Sequence, residues 1–287
     1  MRVASFWHGG PLSFFEIACI KSFIDAGVDY TLFVRESVEN IPSGIEIIES
    51  KEIYDGDIET LGDERFNAGV YSDIFRAHLL KKTDYVWVDT DVVCINPSIL
   101  ENEYCFGANR RKKTINNCVL RLPKYSPALQ LAINFYEAPV PIPHWWRKEK
   151  LKPLLNRYRA GDIPTLTSLP WTTTGPGILS WALRTTGEIS RGQHWHRFYK
   201  YESALNHEFL QSDKPVEFYE DATTNMVHLY GSTKIHVRDH FGGIPPKSSY
   251  LALVCNRHGV DPRDFPIPAA NTSDRPKPYT RSRRQTP

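Results

Sequence analysis

The chain has 287 residues, of which 41% are hydrophobic and 24% are charged, and its formal net charge is +2. This is the composition of an ordinary globular protein, and so small a net charge does not favour a nucleic-acid partner. Five cysteines without a CxxC pair indicate reduced thiols rather than a disulfide framework. The first residues lack a signal-peptide pattern, and no apolar run approaches the length of a membrane span, so we predict a cytoplasmic protein.

Strands and helices alternate through the first third of the chain. Apolar periodicity predicts strands at 2–7, 30–34, 45–48 and 85–88, with helices at 13–27 and 64–82 between them. Ser13 and Glu16 have capping-box spacing at the start of the first helix, and Gly27 suits its end. This alternation predicts an α/β fold with a mostly parallel central sheet flanked by helices.

The pattern is less regular after Pro97. Strands are predicted at 104–108 and 118–122, helices at 127–137 and 178–185, and loops at 138–150 and 166–177. His228 lies in a late apolar strand. We predict a single domain at 1–264 and a disordered basic tail at 265–287, because the tail is polar, basic and rich in proline.

Two carboxylates follow the apolar strand at 85–88. Asp89 and Asp91 are separated by one threonine, and residues i and i+2 of an extended chain point to the same side. Ligands of open α/β sheets bind beyond the carboxyl ends of the strands, where two such groups suit a hard divalent cation, Mn²⁺ or Mg²⁺. Two solvated acids in a turn are the alternative, which fits Asp55-Gly-Asp57 in its polar stretch. The apolar context of Asp89 and Asp91 favours metal binding.

The helix at 64–82 contains a carboxylate in an unexpected place. On a helical wheel, Asp73 falls inside the apolar arc, between Phe66 and Leu80, and Arg76 lies at the edge of that arc. A carboxylate there needs a partner or must line a site. The pattern is equally consistent with an Asp73–Arg76 pair within the helix and with two side chains that reach a ligand.

Two segments together resemble a known enzyme family. The string YSDIFRAHLL at 71–80, followed by YVWVDTDV at 85–92, resembles the signature SDxxR…L…YxDxD. This signature occurs in DxD-motif sugar-nucleotide glycosyltransferases of family 32 and its relatives, which include yeast mannosyltransferases, bacterial capsule and lipopolysaccharide enzymes, and clostridial glucosylating toxins. The opening FWHGGPLSFFEIACIKSF is similar to the first strand and helix of that family. The resemblance is clear over residues 3–97 and weaker to about residue 230.

The resemblance implies a GT-A type fold, a UDP- or GDP-sugar donor and transfer with retention of configuration. It implies that Asp91 is the more direct metal ligand, and that Asp89 lies nearer the ribose and the metal. It assigns Asp73 and Arg76 to the hydroxyls of the donor sugar. One departure is Lys82-Thr83-Asp84, where many members have Gly-Gly before the DxD strand.

Further positions are implied less directly by the same resemblance. The side chains that it places beside the nucleotide base are Phe6, Trp7 and His8. Asn116 or Asn117 would meet a sugar, and a simple turn asparagine is an equal alternative. Thr174-Gly-Pro-Gly resembles a family segment that opens a helix, and an unliganded loop is its alternative. His228 would complete the metal shell, and a packed strand histidine is the alternative.

Other patterns carry weaker signals. His236 and His240 have i, i+4 spacing and His194 and His196 have i, i+2 spacing, but neither pair has the further ligands of a zinc site. The loop tryptophans suit stacking on sugars, although core packing is the default for each of them: Trp145, Trp146, Trp171 and Trp195. The basic residues His144, Arg147 and Lys148 fit a solvated loop better than an acidic acceptor or a lipid phosphate.

These observations predict a metal-dependent glycosyltransferase whose acceptor is a glycan or a glycolipid, with no nucleic-acid partner. Bacterial surface polysaccharide synthesis is the pathway that fits best, and peripheral contact at the inner membrane face stays open. Two alternatives remain. A nucleotidyltransferase that makes the sugar nucleotide would need a basic phosphate loop, whereas residues 8–13 contain no Lys or Arg. A non-catalytic carbohydrate-binding protein of the same fold would not need four polar groups in apolar surroundings.

Overall fold

The computed structural model describes residues 1–56, 64–109, 114–170, 172–200, 203–211 and 214–269. Asp57, Trp171 and residues 270–287 of the predicted tail lie outside this part of the chain. The strands are β1 Arg2–Trp7, β2 Asp29–Val34, β3 Glu46–Glu49, β4 Val86–Val88, β5 Val92–Cys94, β6 Gly107–Asn109, β7 Thr114–Ile115, β8 Val119–Leu120, β9 Gln193–His194 and β10 Met226–His228. The helices are α1 Phe14–Asp25, α2 Glu64–Lys82, α3 Pro127–Tyr136, α4 Lys148–Arg159, α5 Ile178–Thr185, α6 Val216–Tyr219, α7 Gly231–Phe241 and α8 Tyr250–Arg257.

The central sheet has the strand order β3-β2-β1-β4-β8. Its first four strands are parallel, and β8 is antiparallel to β4 at one edge. The middle of β1 is buried, as expected for a parallel strand with both faces covered. The predicted α/β class with a mostly parallel central sheet is therefore confirmed.

Each face of the sheet packs against its own hydrophobic core. Val3 and Val88 pack with α1 and α8, whereas the neighbouring residues Ala4 and Trp87 pack with α2, α3 and α5. Successive side chains of a strand point to opposite faces, so the apolar runs of β1 and β4 supply both cores. Packed helices therefore cover both faces of the sheet around β1 and β4.

The first helix begins and ends as its sequence predicts. The Glu16 carboxylate accepts hydrogen bonds from the Ser13 backbone N–H (3.0 Å) and hydroxyl (2.6 Å). At the other end Gly27 has φ +73°, a conformation that ends helices and that glycine adopts without a steric penalty. These local signals fix the length of α1 and the position of the turn that leads into β2.

A two-stranded pair beside the main sheet brings the late part of the chain to its edge. β5 is antiparallel to β10, with Val92 opposite His228. The Leu229 N–H also donates to the Asp91 carbonyl (2.9 Å). The pairing places residues 228–232 next to the Asp89–Asp91 turn, although more than 130 residues separate them in sequence.

Several segments differ from the prediction. The loop predicted at 138–150 ends earlier, because α4 begins at Lys148, and neither α7 nor α8 was predicted. The strand predicted at 104–108 is β6, shifted toward Asn109. The tail predicted from residue 265 starts with packed residues, since the Phe265 carbonyl accepts from the Phe14 N–H (2.8 Å) and Ile267 is buried. None of the helices in the described ranges combines the length and apolar character needed to cross a membrane.

Candidate functional site

A cleft of about 850 Å³ opens at the carboxyl ends of β1 and β4. It brings together every residue that the sequence predicts for the site, namely Phe6, Trp7, His8, Asp73, Arg76, Asp89, Asp91, Asn117 and His228. This is the edge of an open α/β sheet at which ligands bind. The sheet therefore positions the predicted residues around one cavity, while their individual roles remain predictions.

Asp89, Asp91 and His228 form a group that suits a metal ion. One ligand atom from each lies within 4.8 Å of the other two, and within the described residues no other such group is present. Asp89 directly follows β4, and its backbone carbonyl accepts a hydrogen bond from the Val92 N–H (3.2 Å). This tight turn aims both carboxylates into the cleft, where His228 arrives from β10.

The Asp91 carboxylate fits a cation better than it fits its protein neighbours. Its Oδ1 atom is buried and lies 3.2 Å from His228 Nε2, yet it has no partner in hydrogen-bond geometry among the described residues. Burial raises the pKa of the Asp91 carboxyl, but His228 and the Gly231 backbone N–H outweigh burial and hold this pKa below its usual range. A buried carboxylate oxygen whose main neighbour is a histidine nitrogen outside good hydrogen-bond geometry is a candidate metal ligand.

The pKa of Asp89 is shifted in the opposite direction. Its Oδ1 atom accepts from the Trp87 indole N–H (2.7 Å) and lies 3.3 Å from an Arg76 nitrogen. Burial raises the pKa of the Asp89 carboxyl, Arg76 lowers it, and repulsion from Asp91 raises it again, so that the pKa is above its usual value. Two carboxylates in one site repel each other, and a divalent cation between them would relieve that repulsion.

Arg76 joins the two acidic parts of the cleft. Its guanidinium lies over the Trp87 ring, 4.5 Å from the ring centroid, and donates to the Asn117 carbonyl (2.7 Å). Its Nη2 atom is 3.5 Å from Asp73 Oδ1 and 3.3 Å from Asp89 Oδ1. The predicted Asp73–Arg76 pair is therefore present, but it belongs to a network that also includes the DxD segment.

Asp73 is held by residues from distant parts of the sequence. Its oxygens accept from the Asn117 amide (3.0 Å) and from the Thr174 hydroxyl (2.8 Å). Burial raises the pKa of Asp73 above its usual value, against the lowering effect of Arg76 and Thr174. The fixed carboxylate faces the cleft with lone pairs that its protein donors leave available.

A glycine allows Thr174 and Asn117 to approach Asp73 together. A Cβ atom on Gly175 would lie 2.8 Å from Asp73 Oδ1 and 2.9 Å from the Asn117 amide nitrogen. Any larger residue would displace this network, so Gly175 is needed for close approach. The segment belongs to a π-helical turn, Thr173–Gly177, that leads directly into α5.

Asn116 contacts His228 of the Asp89–Asp91–His228 group. Its side-chain Oδ1 atom accepts from the Cys118 N–H (2.9 Å), and its side-chain Nδ2 atom lies 3.4 Å from His228 Nδ1. Both asparagines that the sequence singles out thus lie at the site, with different neighbours. Asn117 orients Asp73, whereas Asn116 contacts His228.

The sequence did not indicate the cleft residues that follow β10. Tyr230, Gly231, Ser232 and Ile235 line the cavity, and the Tyr230 ring lies 3.9 Å from the His228 ring. Tyr230 has φ +63°, which is uncommon for a residue other than glycine and turns the chain sharply into α7. The only local signal was Gly231 directly after an apolar strand, which is too common to mark a site.

The residues predicted beside the base have different environments. Phe6 packs on Tyr71 and Phe75, with ring centroids 4.8 and 5.5 Å away, so it belongs to the core as well as to the cleft wall. Trp7 donates its indole N–H to the Gly10 carbonyl, and His8 Nδ1 lies 3.3 Å from a Glu36 oxygen. Contact of these three residues with a base stays a prediction.

The other histidines and tryptophans that the sequence singled out do not belong to the Asp89–Asp91–His228 group. His236 contacts His240, and His194 contacts His196, at ring distances of 5.1 and 4.9 Å. Trp145 stacks on Trp181 at 5.3 Å, and Trp195 packs on Tyr199 at 5.7 Å. These contacts agree with packing as the main role of the two tryptophans.

Comparison with known proteins gives distant similarity to solved structures only. No protein-family model and no curated protein matches the chain. Among solved structures, a similar chain is described as "PaToxG Glycosyltransferase". It is 13% identical to this chain, the match covers 66% of this chain and 72% of that one, and the TM-score is 0.40. A similarity of this size does not define a family for the chain.

Proposed function

We propose that the chain is a metal-dependent, retaining glycosyltransferase of the GT-A type, similar to family 32. It would move a sugar from a UDP- or GDP-sugar to a glycan or glycolipid acceptor. The observation that supports this most directly is the juxtaposition, in one cleft, of the Asp89–Asp91–His228 group with the Asp73–Arg76 pair. The first group suits a cation that binds a diphosphate, and the second presents a fixed carboxylate to the hydroxyls of a sugar.

The metal would be Mn²⁺ or Mg²⁺, held by Asp91, Asp89 and His228. When bound, such a cation neutralises the charge that develops on a diphosphate leaving group. Asp73 would accept hydrogen bonds from the donor sugar. Most N–H groups of Arg76 are already directed at protein oxygens, so its main role would be to position Asp73 and Asp89.

Retention would follow a front-face path. The acceptor hydroxyl oxygen forms its bond to the anomeric carbon on the side from which the diphosphate oxygen leaves, and the hydroxyl proton passes to that leaving oxygen. Much of the rate acceleration would then come from positioning of the two substrates. A trapped glycosyl–enzyme adduct would contradict this path and identify a carboxylate nucleophile instead.

The cleft favours this function over the two alternatives. A nucleotidyltransferase would use backbone N–H groups after β1 to bind phosphate, but here the Gly9 N–H donates to the Glu36 carboxylate (3.1 Å). A non-catalytic binding protein would not need the Asp89–Asp91–His228 group, in which one buried Asp91 oxygen has no partner in hydrogen-bond geometry among the described residues. Synthesis of a bacterial surface polysaccharide, in the cytoplasm, is the biological setting that we propose.

Release of nucleotide diphosphate tests the proposal. We would incubate the protein with UDP-, GDP-, ADP- and dTDP-sugars, with and without Mn²⁺, and compare the wild type with Asp91→Asn. Asp55→Asn is the matched control, because Asp55 is exposed and belongs to the second D-x-D of the sequence. Slow hydrolysis of one donor that requires Mn²⁺ and Asp91, but not Asp55, supports the proposal. Absence of release, with no thermal shift from any nucleotide plus Mn²⁺, would favour a non-catalytic protein.

A further inference from the structure

A strongly basic segment lies outside the network of the cleft. Residues 147–159, which include α4, contain six Lys or Arg residues and one Glu, so their net charge of +5 exceeds the +2 of the whole chain. The remainder of the protein is therefore net negative. So uneven a distribution of charge favours contact of this segment with an anionic partner.

Most of these cations have no acidic partner among the residues that the structure describes. Arg157 pairs with Asp162 at 2.6 Å. In the described part of the chain, no carboxylate forms an ion pair with the other five, which are Arg147, Lys148, Lys150, Lys152 and Arg159, and all five are exposed. Their charges are thus available to an external surface.

Apolar side chains are exposed among the cations. Tyr158 is 41% exposed and Ile163, just beyond the helix, is 60% exposed, whereas Leu154 on the inner side is buried. At the start of the segment the Lys150 ammonium lies over the half-buried Trp146 ring, 3.9 Å from its centroid. Cations interspersed with exposed aromatic and aliphatic groups are typical of segments that lie in the headgroup region of a membrane.

The segment is attached to the wall of the cleft at both ends. On one side Trp145 stacks on Trp181 of α5, the helix that follows the Thr174 turn. On the other side the chain runs from Gly161 to Leu169, which lines the cleft itself. A surface that α4 contacts would therefore lie beside the cavity.

The sequence favoured a solvated loop for Arg147 and Lys148, but Lys148 begins α4. We propose that the basic segment at 147–159, with the adjoining Ile163, docks the protein on an anionic phospholipid bilayer. Lys148, Lys152 and Arg159, which share one face of α4, would contact the headgroups, with Lys150 beside Trp146 at the flank of the helix, and Tyr158 and Ile163 would enter the interface. Charge complementarity favours this occupant, because a bilayer can meet cations that are spread along a whole helix together with exposed apolar groups. If the proposed function is also correct, the docked cleft would face a lipid-linked acceptor; this last step alone rests on that function.

Vesicle sedimentation of the full chain tests the docking. Phosphatidylcholine vesicles with and without phosphatidylglycerol would be compared at low and high salt, for the wild type and for the triple variant Lys148→Gln, Lys150→Gln, Lys152→Gln. The matched control removes three lysines elsewhere, Lys21→Gln, Lys51→Gln and Lys247→Gln. This control has the same net charge as the triple variant, and both variants retain the cations of residues 270–287. Thermal unfolding would verify that both variants are folded.

We expect the wild type and the control to bind only the anionic vesicles, and the triple variant to partition about a hundredfold more weakly. Replacing Tyr158 and Ile163 by serine should also weaken binding while its salt dependence persists. Equal binding of the triple variant and the control, or no vesicle binding by the wild type, would contradict the docking. Retention on heparin without vesicle binding would instead assign the segment to a soluble polyanion. Hydrolysis of a soluble donor is measured in parallel, so a failure of docking and a failure of the proposed function can be told apart.

Discussion

Two sets of carboxylates in this molecule have different environments: Glu188 is buried in the core, whereas Asp73, Asp89 and Asp91 are partly exposed in the cleft. Glu188, just after α5, accepts from the Tyr104 hydroxyl (2.9 Å), the Ser126 hydroxyl (2.6 Å) and the Ala128 N–H (2.7 Å). Burial alone would raise its pKa, but these hydrogen bonds hold the pKa of Glu188 below its usual value. In the cleft, the pKa values of Asp73 and Asp89 are raised instead, chiefly by burial.

The difference separates a carboxylate that stabilises the fold from carboxylates that we propose to bind substrate or metal. Glu188 joins α3 and α5 to the segment before β6, and its oxygens have protein donors. Asp89 and Asp91 face each other, and one Asp91 oxygen has no hydrogen-bond partner in the described residues. Such an arrangement costs stability in the absence of a cation, which is typical of a functional site. Substitutions in the two sets should therefore have opposite effects on activity and on stability.

The largest expected effect is that of Asp91→Asn on activity. Asparagine has nearly the same shape, but the substitution removes the negative charge nearest to His228. Metal-dependent release of nucleotide diphosphate should fall at least about a hundredfold. The free energy of unfolding should change by no more than about 1 kcal/mol, because repulsion from Asp89 is relieved as the pairing with His228 weakens. Full activity of Asp91→Asn at the same Mn²⁺ concentration would show that Asp91 is not a metal ligand.

The opposite result is expected for Glu188→Ala. The substitution leaves three donors without an acceptor in the core and should lower the free energy of unfolding by roughly 2–4 kcal/mol. Donor hydrolysis by the folded fraction should stay within a fewfold of the wild type at low temperature. Urea denaturation and the donor assay measure the two quantities. An active-site defect without loss of stability would mean that the comparison between the two sets is wrong.

The local signals of the sequence are sufficient for much of the fold. The bounds of β1, α2 and α5 agree with the prediction because apolar periodicity and capping are properties of neighbouring residues. α7 was missed because only Thr233 and Val237 of its eleven residues are buried, so it has little apolar periodicity. The sheet and its first helices could thus be predicted, but not the helices that the C-terminal part adds.

The site could be predicted only in part, because sequence patterns report on residues that are close together in the chain. Asp89 and Asp91 were identified by the apolar strand before them, and Asp73 by its place on the helical wheel. The contact of His228 with Asp91 depends on the pairing of β10 with β5, and the positions of Asn117 and Thr174 depend on tertiary packing. No local pattern contains these distances, so the sequence indicated Arg76 as a partner of Asp73 but not Asn117 or Thr174.

The third prediction distinguishes sugar binding by Asp73 from metal binding by the Asp89–Asp91–His228 group. Asp73→Asn should lower kcat/KM for the donor by about tenfold to a hundredfold, since the sugar loses a charged acceptor and the Arg76 network loses one carboxylate. Mn²⁺ affinity, measured by titration calorimetry, should stay close to that of the wild type. Thr174→Val, which removes one hydrogen bond to Asp73 and retains the carboxylate, serves as the milder control. A large loss of Mn²⁺ affinity in Asp73→Asn would place Asp73 in the metal shell.

The smallest expected effect concerns acid stability at Glu188. A carboxylate whose pKa is lower in the folded state than in the unfolded chain, where it is about 4.3, stabilises the fold above that value. This stabilisation disappears as the pH falls through the folded-state pKa. The difference in unfolding free energy between the wild type and Glu188→Gln should therefore be greatest near neutral pH and decrease at acidic pH. Glu149→Gln, at an exposed glutamate of α4, should stay within about 0.5 kcal/mol of the wild type at neutral pH. A difference for Glu188→Gln that did not decrease on acidification would mean that shape, rather than charge, accounts for the contribution of Glu188.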